Sequence, residues 1–131
     1  MEHENISIYE AGTLLSETDP DGTILFANNN FCRVSQYTPE ELIGQPHNII
    51  RHPAMPKKLF QCLWETIKKG EVFRGIIKNK AKDGSHYWVN ITILPIFDGP
   101  QIIKYLGGRH HIKDDKDGEE LYKRQAARLG L

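Results

Sequence analysis

The chain has 131 residues, 26% of them charged and 39% hydrophobic, a composition that fits one globular domain and not a disordered segment. Seventeen Lys and Arg offset seventeen Asp and Glu, so the basic surplus of a typical nucleic-acid binder is missing. No apolar run approaches the roughly 20 residues of a membrane span, and the polar, acidic start Met1-Glu2-His3-Glu4-Asn5 is unlike a secretory signal.

Cys32 and Cys62 are too few for a disulfide framework and lack metal-ligand spacing. They are expected as reduced thiols in a cytoplasmic protein, with any membrane anchor lying outside this segment. Residues 1–11 read as an N-terminal segment. Residues 13–18 predict a short strand, Asp19-Pro20-Asp21-Gly22 a tight turn, and residues 23–27 the return strand of an antiparallel hairpin. Asn28 is placed to cap a short helix running to about Tyr37. Thr38 and Pro39 start a second helix, which Gly44 stops. Residues 45–56 carry three prolines and no clear period.

Pro56 opens the longest helix of the domain. Leu59, Phe60, Leu63, Trp64 and Ile67 share one face, Lys68 and Lys69 suit its C-terminal end, and Gly70 ends it. From Val72 the period becomes two. Phe73, Gly75, Ile77, Asn79 and Ala81 fall on one strand face, and Arg74, Ile76, Lys78 and Lys80 on the other. Asp83-Gly84 makes a hairpin turn. The return strand alternates Tyr87, Val89, Ile91 and Ile93 against Trp88, Asn90, Thr92 and Leu94. Asp98-Gly99-Pro100 turns into a last strand ending near Ile112. The charged tail, residues 114–131, carries Leu121, Tyr122, Ala126 and Leu129 at helical spacing. It is expected to dock on an outer patch of Trp88, Thr92 and Leu94, or on a partner chain. This order predicts an α+β fold, with a five-stranded antiparallel sheet, short helices and one longer helix over one face, enclosing a ligand-sized pocket.

Asn79 is the residue-level clue to a ligand. A buried amide on an inward strand face needs hydrogen-bonding partners; the alternative is a strand-end Asn bonding the backbone. His110 and His111 are adjacent on a strand, point to opposite faces and cannot chelate one ion together. No Ser-His-Asp order, glycine-rich phosphate loop or paired-carboxylate pocket stands out, so no enzyme is expected and no metal site is assigned.

Thr18-Asp19-Pro20-Asp21-Gly22, Phe26-Ala27-Asn28, Gly44-Gln45-Pro46, Lys82-Asp83-Gly84 and Tyr87-Trp88-Val89, in this element order, resemble the PAS domain over residues 12–113. Within it, the run from Gly44 to Pro53 (Gly-Gln-Pro-His-Asn-Ile-Ile-Arg-His-Pro), then Met55-Pro56-Lys57, Leu63-Trp64 and Asp83-Gly84-Ser85-His86-Tyr87-Trp88, is similar to the aerotaxis-receptor type. That resemblance implies noncovalent FAD, with redox state or oxygen reported to a methyl-accepting chemotaxis-type module, and a homodimer. Residues 114–131 would be the output helix.

The resemblance also implies site residues. Arg51 and His52 match a pair that contacts the flavin nucleotide, and Trp64 and Phe60 match residues packing beside its ring. Asn79 matches an Asn at the ring's polar edge, and Arg109 a position next to the ring. The alternatives are a solvated loop pair for Arg51 and His52, core aromatics for Phe60 and Trp64, and an exposed strand charge for Arg109. Where the usual pattern has Asp, this chain has Ala54, which implies weaker flavin retention. The reactive Cys of light-sensing relatives would fall in residues 48–52, which hold none. Rival readings are haem on His47, His52 or His86, a small metabolite, a ligand-free dimerisation module, or a flavoenzyme.

Overall fold

The computed structural model describes residues 13–131, so the expected segment 1–11 lies outside the described residues. A hairpin opens the fold. Strands β1 (Leu14–Thr18) and β2 (Ile24–Ala27) meet through a turn in which the Asp19 carboxylate accepts from the N–H groups of Asp21 and Thr23. Gly22 takes φ +91° there, and any side chain on it would press on the Trp64 ring 3.1 Å away.

Helix α1 (Asn29–Ser35) is capped as expected. Asn28 accepts from Phe31 N–H and also from Leu15 N–H, which ties the helix to β1. It ends short of Tyr37 because Gln36 turns left-handed. Helix α2 (Pro39–Leu42) carries a reciprocal capping box between Thr38 and Glu41. The stretch without a clear period contains a 3₁₀ turn, His47–Ile50, whose first N–H donates to Gly22 O at 3.0 Å.

Helix α3 (Lys57–Lys68) buries Leu59, Leu63 and Ile67, the apolar face expected of it. Each contributes roughly 1.5–3 kcal/mol by leaving water. Strands β3 (Phe73–Lys80), β4 (His86–Asp98) and β5 (Gln101–Ile112) form the meander. The sheet order is β2-β1-β5-β4-β3, antiparallel throughout, so the α+β five-stranded expectation holds.

Helix α4 (Asp115–Leu129) covers the opposite, outer face. It docks on Trp88, as expected, through Tyr122 of the expected stripe and two residues outside that stripe. Leu121 is exposed, whereas Gly118 and Gln125 are buried and Tyr122 stacks on Trp88 at 5.6 Å. A Cβ on Gly118 would sit 2.2 Å from Trp88, so only glycine lets the helix approach this closely. Gln125 reaches edge strand β3, accepting from Ile76 N–H at 2.6 Å and donating to Ile76 O at 2.9 Å. Those groups would otherwise be an open sheet edge.

Candidate functional site

Between α3, the 3₁₀ turn and the inner sheet face lies a cavity of ≈ 250 Å³, just under the usual range of small-molecule sites, roughly 300–1,000 Å³. Its walls are mostly apolar: Phe60, Leu63, Trp64 and Ile67 from α3, Ile77, Ile91 and Ile93 from the sheet, and Ile50 from the 3₁₀ turn. It opens past Asp21, Pro46 and Asn48, which are exposed. Trp64 is held edge-on to Tyr105, with ring centres 5.8 Å apart.

Its polar end is built around Arg109, only 2% exposed. The guanidinium lies across Gly107, where a Cβ would come within 3.1 Å of it, and 5.0 Å from the centre of the Phe31 ring. Arg109 donates from Nη1 to Ser16 Oγ at 3.0 Å and from Nη2 to His47 Nε2 at 2.9 Å. Longer contacts reach Leu14 O and Gly107 O at 3.5 and 3.4 Å. Arg109 Nε has no partner among the described residues. Burial lowers the guanidinium pKa to about 10, which still leaves it charged at neutral pH.

Because Arg109 must donate, His47 Nε2 accepts, and the imidazole proton sits on Nδ1. Burial first, then the charges of Arg109 and Arg51, push His47 down to about 3, so the ring is neutral at physiological pH. Ser16 Oγ completes the triangle at 3.1 Å from His47 Nε2.

Arg51 lies 3.8 Å over the Phe60 ring and also has an unpartnered Nε. Neither Arg51 nor Arg109 forms an ion pair among the described residues. Arg51 bridges Asn79, which is buried on β3 and lines the cavity. Beside Asn79 in the sheet is Tyr87, whose phenol burial pushes up to about 12.

Five sequence-predicted site residues therefore meet at one cavity: Arg51, Phe60, Trp64, Asn79 and Arg109. The exposed-charge alternative for Arg109 is overturned by its burial. His52 is not part of the lining. Arg51 is extended, with φ −72° and ψ 127°, so the next side chain leaves on the other side. His52 instead accepts from Ala54 N–H and stands edge-on to His86 at 6.2 Å. Ala54 is exposed outside the cavity, so a carboxylate there would lie beside the start of α3 and away from a ligand.

Ser16 and Tyr105 were missed as lining residues, and His47, weighed only as a haem ligand, lines the cavity as a partner of Arg109. Strand alternation through Tyr105, Gly107 and Arg109 was the available signal. Neither cysteine lines the cavity. Among the described residues no metal-binding cluster exists, and no helix is long and apolar enough to cross a membrane.

A family model described as the PAS fold matches residues 24–108. The chain is 43% identical over 122 residues to the aerotaxis receptor of Escherichia coli (strain K12), covering 92% of this chain and 24% of the receptor. It is 31% identical over 91 residues to a nitrogen fixation regulatory protein of Klebsiella pneumoniae, covering 70% of this chain and 18% of that protein. The chain thus spans about a quarter or less of these relatives. A light-oxygen-voltage domain studied with a flavin analogue superposes with a TM-score of 0.80 over 96% of both chains at 21% identity. The light-state structure of the blue-light photoreceptor Aureochrome1 LOV gives 0.79 over 91% of this chain and 95% of that one, at 20% identity. At such identities the structural likeness concerns the fold.

Proposed function

This chain belongs to the PAS family, in the company of receptors and regulatory proteins rather than enzymes, and we propose that it is a sensory domain whose cavity holds FAD noncovalently. The observation that carries this reading is an apolar cavity with two guanidinium groups, each with an unpartnered Nε and neither neutralised by a carboxylate among the described residues. A buried charge in that state is costly unless something electron-rich completes it. A flat heteroaromatic ring with carbonyls along one edge is the shape and chemistry that would do so.

Phe60 and Trp64 would flank the ring, and Arg109, Asn79 and Arg51 would hold its polar edges. A flavin would supply reversible electron uptake, with a change in ring charge and protonation. The chain's part is to bind, orient and exclude water, and to pass a change of hydrogen bonding at Asn79 along β3. Three residues before Asn79 on that strand, Ile76 N–H and C=O are both held by Gln125 of α4, so the output helix is attached to the strand that lines the site. We assign residues 114–131 to the output path. The downstream partner is a methyl-accepting chemotaxis-type module in the same cytoplasmic-facing receptor, acting as a homodimer.

No cysteine lines the cavity, so a flavin–cysteine bond is not the signal. Haem finds no free histidine in the lining among the described residues: His47 Nε2 is engaged by Arg109 and Ser16, and His52 and His86 stand outside. The test is an absorption spectrum of the purified protein, with mass identification of what denaturation releases. FAD is expected. A haem band, or a folded protein that neither carries nor takes up flavin, would overturn the reading.

A further inference from the structure

We propose that His47 is a positioning residue that locks the Arg109 guanidinium in place through Nε2 at the polar end of the cavity; this role deepens the FAD reading and rests on it for the ligand's identity. The geometry is specific about the division of labour. Nη1 of Arg109 has Ser16 at 3.0 Å and two longer carbonyl contacts. Among the described residues Nη2 has His47 alone, at 2.9 Å. Removing that acceptor frees one end of the fork, and a guanidinium sets direction only when both ends are held.

His47 is itself constrained. Its ring stands edge-on to Phe31 at 5.9 Å, and Phe31 also faces the guanidinium, so one aromatic orients both members of the pair. The groups facing His47 are Ser16 on β1, Phe31 on α1, Arg109 on β5 and Arg51 in its own loop. None is a carboxylate. A protonated His47 would lose its acceptor and stand against a cation at hydrogen-bond distance. The neutral ring is therefore the only state that serves Arg109, and acid should release the ligand as His47 takes up a proton.

Two variants separate acceptor from shape. His47→Gln keeps an acceptor on a flexible stem, and His47→Leu keeps apolar bulk without one. FAD titrations by fluorescence quenching should give near wild-type affinity for His47→Gln. His47→Leu should bind at least tenfold more weakly, with ligand-free unfolding still cooperative. In ligand-free protein, the Arg109 Nε–H should give a resolved, slowly exchanging NMR signal in wild type and His47→Gln that is lost in His47→Leu. This second readout needs no flavin. If wild-type protein takes no flavin, the FAD reading fails while the NMR comparison still decides the role of His47. Equal affinity and an unchanged Arg109 signal in His47→Leu would overturn the proposal, as would equal losses in both variants. Should His47→Leu not fold, the decision passes to His47→Gln and to wild type titrated downward in pH, where an Arg109 signal unchanged as His47 protonates would overturn it.

Discussion

Arg109 and Gln125 are each 2% exposed, and they sit on opposite faces of the same sheet. Gln125 is complete: both ends of its amide meet the Ile76 peptide. Arg109 is incomplete: its Nε has no partner and its charge no counter-ion among the described residues. A buried polar group whose bonds are all made holds the fold together. One left short of partners costs stability until a ligand arrives. The outer face is therefore read as structure and the inner face as a site.

The largest effect that sharpens this contrast is acid sensitivity on the inner face. His47 has an ordinary pKa of 6.5, which the folded protein lowers to about 3 through burial and then the neighbouring guanidinium groups. Between those values the unfolded chain binds a proton that the folded one refuses. Stability is therefore complete above pH 6.5 and falls as pH drops toward 3, at about 1.4 kcal/mol per pH unit for this group. Urea unfolding across that window should show a slope that His47→Gln flattens. Identical slopes would mean that the imidazole is not held neutral by the fold.

Next comes a pair of opposite signs. Arg109→Met should stabilise the ligand-free domain, because an uncompensated charge leaves the interior. It should at the same time abolish flavin retention. Gln125→Ala should do the reverse, destabilising by roughly 1–3 kcal/mol as the Ile76 peptide loses both partners, with flavin affinity unchanged and α4 more open to protease. Thermal unfolding with and without FAD measures both. An Arg109→Met protein that is less stable without ligand would erase the distinction between the two faces.

What the sequence made legible follows from the range of the interactions. The Asp19–Gly22 turn, the Asn28 cap, the α3 face and the two-residue period of β3 and β4 are set by neighbours a few positions apart. They stood where expected, and so did Asn79, whose inward place follows from that period. His47 was invisible as a partner of Arg109 because 62 residues separate them and only the packed sheet brings them together. Gly118 and Gln125 were passed over because the helical stripe was sought among apolar side chains. The docking surface instead uses a missing side chain against Trp88 and an amide against a strand edge. His52 was paired with Arg51 by resemblance, and the extended backbone between them separates their directions.

The smallest effect tests a position that belongs to neither face. Ala54 is exposed, and helix α3 starts three residues later, with Pro56 at its cap position, no side-chain cap bond and no acidic residue in its first turn. Lys57 and Lys58 occupy that first turn, so no acidic side chain there complements the helix end. Ala54→Asp would place a carboxylate near that positive helix end, a stabilisation of about 0.3–1 kcal/mol at low ionic strength that salt should erase. The resemblance alone implied something else, that a carboxylate here strengthens flavin binding. The two readings separate cleanly in one variant. The geometry requires ligand-free stability to rise slightly while FAD affinity stays level, since Ala54 does not line the cavity. A rise in FAD affinity with no change in the ligand-free midpoint would instead show that the loop from Arg51 to Ala54 turns inward when the ligand binds. The inner face would then include a segment that the ligand-free fold holds outside it.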